Sequence, residues 1–297
     1  MIVVTGASGR TGRRVTEVLL ARGEKVRAVG RDARKLAPLV GLGAEPFVGT
    51  VEDFSFLTSA FAGATGVYLV LPEDLSQPDL RAHQEQVSDR YSAAIANAQV
   101  RFAVNLSSIG AQQAKGTGPI VGLHNQERKL DRVAGLNVLH LRAAYFMENL
   151  FMSMVPLRAR GTLPGGVRGD APMPWIATKD IGAYAATRLA ARDFSGSSIQ
   201  ELHGQRDISM NEAAAIVGNA INKLDVTYVQ LPSSVLQDTL LKMGLPQKTA
   251  ELIIEMWEGA NAGLIVPQEV RSARNTTPTA LESFITETFV PAYLHTV

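Results

Sequence analysis

Gly6, Ser8, Gly9, Arg10, Thr11 and Gly12 stand near the start of the 297-residue chain, and the three glycines have the spacing Gly-x-x-Gly-x-x-Gly. Such a turn lets the backbone approach a pyrophosphate, while the free N–H groups and positive end of the following helix attract the anion. The string by itself is common in turns that bind nothing. Here an apolar run (residues 2–5) precedes it and an amphipathic segment (residues 11–22) follows, which is the context a phosphate-binding turn demands. Arg10, Arg13 and Arg14 crowd the first turn of that helix, where each cation opposes the helix dipole by about 0.3 to 1 kcal/mol. A bound anion would explain them. A site specific for NAD offers an acid at the end of the second strand, but this chain has Arg31 there. Arg31 and Arg10 would clamp a 2′-phosphate from two sides, because planar guanidinium groups match phosphate oxygens. The expected cofactor is NADP(H), ahead of NAD(H). The competing reading leaves both arginines in solvent and gives the ribose of NAD to Asp32.

These residues need a parallel sheet to position them, and the first half of the chain alternates strand-like and helix-like segments at the right rhythm. Strands are predicted at 2–5, 25–29, 45–48, 67–71, 102–106 and 137–142, with helices at 11–22, 32–40, 54–61, 80–98, 127–133 and 145–157. The run at 67–71 is apolar on both faces, as a strand between two helical layers must be. The fold class is α/β, a Rossmann-type doubly wound parallel sheet. Ser107 and Ser108 follow the fifth strand at the carboxyl edge, where open α/β sheets bind ligands. Either could hydrogen-bond a nicotinamide or a substrate oxygen, or simply satisfy its own loop. Segments 111–122 and 161–174 read as loops, and 180–191 as a helix with Asp180 at its N-cap or in its first turn. Helices at 209–224, 233–243, 246–260 and 279–288 make the rest mainly helical. The expected division is a nucleotide-binding domain at 1–150, to which 175–192 could return, and a smaller cover domain at 151–297.

Twenty-nine Lys and Arg residues against 28 Asp and Glu leave a net charge of +1, so no global field grips nucleic acid. No DNA-reading motif or basic stripe appears either. The chain has no Cys, which removes disulfides, thiolate zinc sites, iron–sulfur clusters and a cysteine nucleophile, and no metal site is expected. No segment has the pattern of a signal peptide or the length of a membrane span. The expected compartment is the cytoplasm, without membrane or direct nucleic-acid partners.

The segments TGASGRTGRRV, NLSSIGA, GLHNQERKL, LRAAYFMENL, PWIATKDIG and TTPTALESF resemble the NmrA-like group of atypical short-chain dehydrogenase/reductases over nearly the whole chain. The resemblance implies a Rossmann domain, NADP(H) and a small C-terminal domain closing over the nicotinamide. It places Gly6, Ser8, Gly9, Arg10, Thr11 and Gly12 at the pyrophosphate and Arg31 at the 2′-phosphate. Thr50 and Val51 fall where the family caps adenine, although many relatives carry Asp there. Leu71, Pro72, Ser107, Ser108, Ala144, Tyr145 and Phe146 would line the nicotinamide half. Arg142-Ala143 stands where many relatives have Arg-Pro.

Short-chain dehydrogenases of the usual kind transfer the proton through Tyr-x-x-x-Lys, and none of the six tyrosines here has a lysine four residues later. Tyr184, followed by Arg188, comes nearest in form. Reversible alcohol dehydrogenation thus lacks its acid/base. His124, in the region where relatives carry His or Lys, could polarise a substrate oxygen or bind only backbone and solvent. Asn149 could face the site, and with Ser108 and His124 it completes the candidate catalytic set. Phe146, Met147, Met152 and Met154 read as helix core or as an apolar wall for a flat substrate. Trp175 is expected over the cleft and Trp257 on an apolar helix face. The leading expectation is a reductase that passes hydride from NADPH to a small apolar or aromatic acceptor, quinone-like or azo-like, by positioning. The alternative is a non-catalytic NADP(H) sensor acting through a protein partner; a homodimer is compatible with both.

Overall fold

The computed structural model describes residues 1–295. Strands β1 (Ile2–Val4), β2 (Val26–Gly30), β3 (Glu45–Val48), β4 (Gly66–Leu69), β5 (Phe102–Ser108) and β6 (Asn137–Ala143) alternate with helices α1 (Arg10–Ala21), α2 (Ala33–Gly41), α3 (Phe54–Phe61), α4 (Leu80–Asn97) and α5 (Ile120–Leu130). Downstream lie β7 (Tyr145–Phe146), a 3₁₀ segment (Met147–Ser153), α6 (Met154–Arg160), β8 (Thr162–Gly165), β9 (Met173–Ile176), α7 (Thr178–Ala191), β10 (Ser197–Leu202), β11 (Asp207–Ile208), α8 (Met210–Ala220), β12 (Thr227–Gln230), α9 (Ser233–Lys242) and α10 (Gln247–Asn261). The chain closes with α11 (Leu281–Phe284), a π-helical turn (Ile285–Phe289) and α12 (Val290–Leu294).

Seven parallel strands form the central sheet in the order β10-β6-β5-β4-β1-β2-β3. Strand order reverses beside β1, and ligands of such sheets bind at that switch point. Side-chain alternation along each strand feeds two cores. Ile2 and Val4 join Val15, Leu19, Leu36, Ile181 and Leu189 under α1, α2 and α7, while Val3 joins Leu57, Phe61, Val87, Tyr91 and Leu130 under α3, α4 and α5. A third core, with Met147, Leu150, Trp175, Val217 and Phe284 at its centre, belongs to a smaller lobe. Two short sheets, β11-β9-β7 and β12-β8, support that lobe.

The structure departs from the sequence expectation mainly beyond residue 110. Helix α5 begins at Ile120, inside the segment read as loop, and 145–157 is a short strand followed by 3₁₀ and α-helical turns. The 161–174 loop contains β8 and the start of β9, and β10 adds a seventh strand that had no strong local signal. Met147 is buried in the small-lobe core, Met154 packs against that core and Met152 is exposed, so the methionines form no common wall. Trp175 does not roof the cleft. It is fully buried and donates from Nε1 to the Ile208 carbonyl at 2.9 Å. Trp257 lies on α10 against Gly166. Asp180 sits in the first turn of α7, behind the N-cap Ala177, and its carboxylate accepts from the Thr279 N–H at 3.0 Å and hydroxyl at 2.9 Å.

Candidate functional site

A cleft of about 460 Å³ opens at the carboxyl ends of the central strands. Its floor is the β1–α1 turn (Gly6, Ser8, Gly9, Arg10, Thr11); one side comes from Gly30, Arg31 and the loop Gly49, Thr50, Val51, Glu52. The opposite side is made by Val70, Pro72, Glu73, Asp74 and Leu106, and the small lobe contributes Phe146, Asn149 and Thr178.

The turn is built as the sequence spacing requires. Gly6 has φ +59°, a left-handed conformation costly for any side chain, and its carbonyl accepts from the Gly9 N–H at 2.8 Å. A Cβ on Gly12 would lie 2.3 Å from the Gly6 carbonyl oxygen, so the third glycine lets helix and turn touch and stands behind the cleft wall. Helix α1 starts at Gly9 with no capping side chain and no acid in its first turn. Its leading N–H groups are left for an anion.

Charge is distributed unevenly around this start. Arg31 is exposed on the cleft wall and forms no ion pair among the described residues. Asp32 caps α2, its Oδ1 accepting from the Arg34 N–H at 2.9 Å, and does not line the cleft. Arg10 reaches toward the small lobe, 5.9 Å from the Phe151 ring centroid. Across from it, desolvation lifts the Glu73 carboxyl above the usual range, with Arg10 acting against the shift. The Asp74 carboxyl is held below its usual range by hydrogen bonds from Ser76 and Gln77.

Of the residues singled out from sequence, Gly6, Ser8, Gly9, Arg10, Thr11, Arg31, Thr50, Val51, Pro72, Phe146 and Asn149 line this one cleft. The others do not. Leu71 and Ala144 are core residues, and Tyr145 turns its ring onto Trp175 at 4.8 Å between centroids. Burial lifts the Tyr145 phenol to about 12, with the neighbouring Asn149 acting in the opposite sense. Ser107 donates to Glu127 Oε1 at 2.6 Å, and Glu127 is itself held by Arg142 at 2.6 and 3.0 Å, a buried cluster beneath the site. Ser108 donates to the Ile109 carbonyl at 2.8 Å. His124 Nδ1 lies 2.8 Å from the Ala111 carbonyl, so that ring nitrogen carries the proton and helps fix the loop after β5. Glu52, Glu73, Asp74 and Thr178 were not foreseen; only their fold neighbours show that these polar residues share a wall with the glycine turn.

A glycine turn at the switch point of a parallel sheet, an open helix start and an unpaired guanidinium define a dinucleotide-binding α/β protein of the Rossmann class. The chain belongs to the NmrA-like family, whose model matches residues 1–284. It is 27% identical to quinone oxidoreductase 2 of Escherichia coli over 268 residues, 89% of each chain. It is 26% identical to an NAD(P)H azoreductase of Xenophilus azovorans over 259 residues, 86% of each. The structure also matches that of an NADPH-dependent quinone oxidoreductase from Escherichia coli complexed with NADPH, with a TM-score of 0.81 at 24% identity, covering 97% of this chain and all of the other.

Proposed function

We propose that the protein is an NADPH-dependent reductase that delivers hydride to a flat conjugated acceptor of quinone or azo type. The observation that carries this reading is the uncapped start of α1 facing an unpaired Arg31 in one cleft, a cradle for a pyrophosphate and a 2′-phosphate together. The residues fit the cofactor: Gly6, Ser8, Gly9, Arg10 and Thr11 would hold the pyrophosphate, Arg31 the 2′-phosphate, and Thr50 and Val51 the adenine. Gly12 supports the turn from behind. Pro72 and Phe146 would flank the nicotinamide, which supplies hydride when bound.

At that end Leu106 and Phe146 give a dry wall, and the Asn149 amide can orient an acceptor oxygen or nitrogen. Thr178 is held by Glu148 and positions the lobe edge. None of these four residues is an acid or base, so their role is alignment and exclusion of water. Conjugated acceptors suit that role, since the electron pair delivered to them is delocalised and the accompanying proton can come from solvent. That the relatives include a quinone oxidoreductase and an azoreductase supports the same class. We place the protein in the cytoplasm on this reading.

The test is to mix the purified protein with NADPH and a panel of quinones, azo dyes and aldehydes and follow loss of reduced-nicotinamide absorbance. Oxidation with quinones or azo dyes and none with aldehydes is the expected result. Tight NADPH binding without turnover on any acceptor would replace this reading by that of a nucleotide sensor.

A further inference from the structure

Beyond the roles proposed above, and resting on the same nucleotide reading, the wall that faces the adenosine end contains one unassigned carboxylate. Glu52 lines the cleft beside Thr50 and Val51, in the loop that follows β3. In a sheet whose order reverses beside β1, the ends of β2 and β3 lie under the adenosine half and those of β4 and β5 under the nicotinamide half.

Among the residues of this loop that line the cleft, Glu52 is the one with a charged acceptor; Asp53 does not line it. The Thr50 hydroxyl accepts from the Glu52 N–H at 3.2 Å, and Val51 is apolar. Asp53 caps α3 by accepting from the N–H groups of Ser55 and Phe56 at 2.8 and 3.1 Å. Glu52 differs. Its Oε1 lies 3.1 Å from Nε2 of His83, which sits in the first turn of α4 and is only 7% exposed. The opposite ring nitrogen, Nδ1, is buried without a hydrogen-bond partner among the described residues. A carboxylate can only accept, so Nε2 carries the proton and donates it. The buried imidazole holds one oxygen of the carboxylate in place. The Glu52 side chain is still 40% exposed, and its second oxygen has no partner among the described residues.

We infer that Glu52 is the base-reading residue of the nucleotide site, taking a hydrogen bond from an exocyclic amine of the purine, and that His83 is the positioning residue behind it. The required ligand chemistry is a base with an amine at its outer edge, as adenine has. A base with a carbonyl at that edge, as in hypoxanthine, would turn an acceptor toward an acceptor.

The experiment measures binding of NADPH and of its deaminated hypoxanthine analogue by calorimetry, without any acceptor present. The wild-type protein should prefer the adenine form by about tenfold, the size of one hydrogen bond to a charged group. Glu52→Ala, a change in a half-buried loop, should bring that ratio to about one while preserving the preference for NADPH over NADH. His83→Leu should lower the ratio and His83→Gln, which keeps an N–H donor, should retain part of it. Equal wild-type affinity for both bases, or an unchanged ratio in Glu52→Ala, would overturn the inference and leave the nucleotide site standing. Failure of the wild type to bind either nucleotide would overturn the site itself and the inference with it.

Discussion

Helices α1 and α7 lie against each other, close enough that a Cβ on Gly182 would meet Arg14 Cβ at 2.7 Å, and both begin at the cleft. Helix α1 starts bare at Gly9, whereas α7 starts beneath the buried carboxylate of Glu148, which accepts from the Thr178 N–H at 3.0 Å and its hydroxyl at 2.6 Å. Each start has the same positive end and the same unfilled N–H groups. The chain completes one with its own anion and leaves the other for an anion from outside. The two ends therefore do not compete for one phosphate, and the ligand is directed to the side where Arg10 and Arg31 wait.

Changes at these two starts should break the contrast in different ways. Gly12→Ala forces a Cβ to within 2.3 Å of a backbone oxygen that cannot move freely. It should weaken NADPH binding by about a hundredfold or more and lower the melting temperature, read by titration and thermal unfolding. Glu148→Ala should act on the fold more than on the ligand. It leaves a buried N–H and a buried hydroxyl without an acceptor, a loss of about 2 to 4 kcal/mol in chemical denaturation, and Glu148→Gln should recover much of it. Arg31→Asp should leave stability nearly unchanged and lower NADPH affinity by about tenfold or more relative to NADH, since one charge-assisted contact is exchanged for a repulsion. Equal affinities in the wild type would remove the 2′-phosphate contact. At the small-effect end, Asn149→Ala should reduce turnover about tenfold with little change in NADPH affinity, and His124→Ala should change either by less than about threefold. A larger effect at His124 than at Asn149 would reverse the placement of both.

Much of the open start was legible in the sequence because its parts are local: a strand, three glycines and a helix fall within 21 residues, and Arg31 follows one strand later. The closed start was not, since Glu148 and Thr178 are 30 residues apart and neither lies in a recognisable capping pattern. The same limit explains Ser107, whose hydroxyl is taken by Glu127 20 positions away, and Glu52, whose partner His83 lies 31 positions on. An isolated acid or serine in a polar loop carries no signal for a partner that arrives through tertiary contact. The short run that becomes β10 is hidden for a related reason: Ile199 remains 45% exposed at the sheet edge, so its alternation is weak.

That edge strand sets an order on how the molecule can be made. Residues 197–202 pair with β6 along six registered positions, from Ser197 beside Val138 to Leu202 beside Ala143. On a chain growing from its N-terminus, β6 is already present while its outer neighbour is still unsynthesised, and the intervening residues include the whole approach to α7. During that interval a mostly buried strand offers an unpaired row of N–H and C=O groups, the condition that invites mispairing with another chain. The early-made half that holds the glycine turn thus completes its sheet only after the first segments of the smaller lobe have emerged, and a cut ahead of residue 197 would leave that half with an open, adhesive edge.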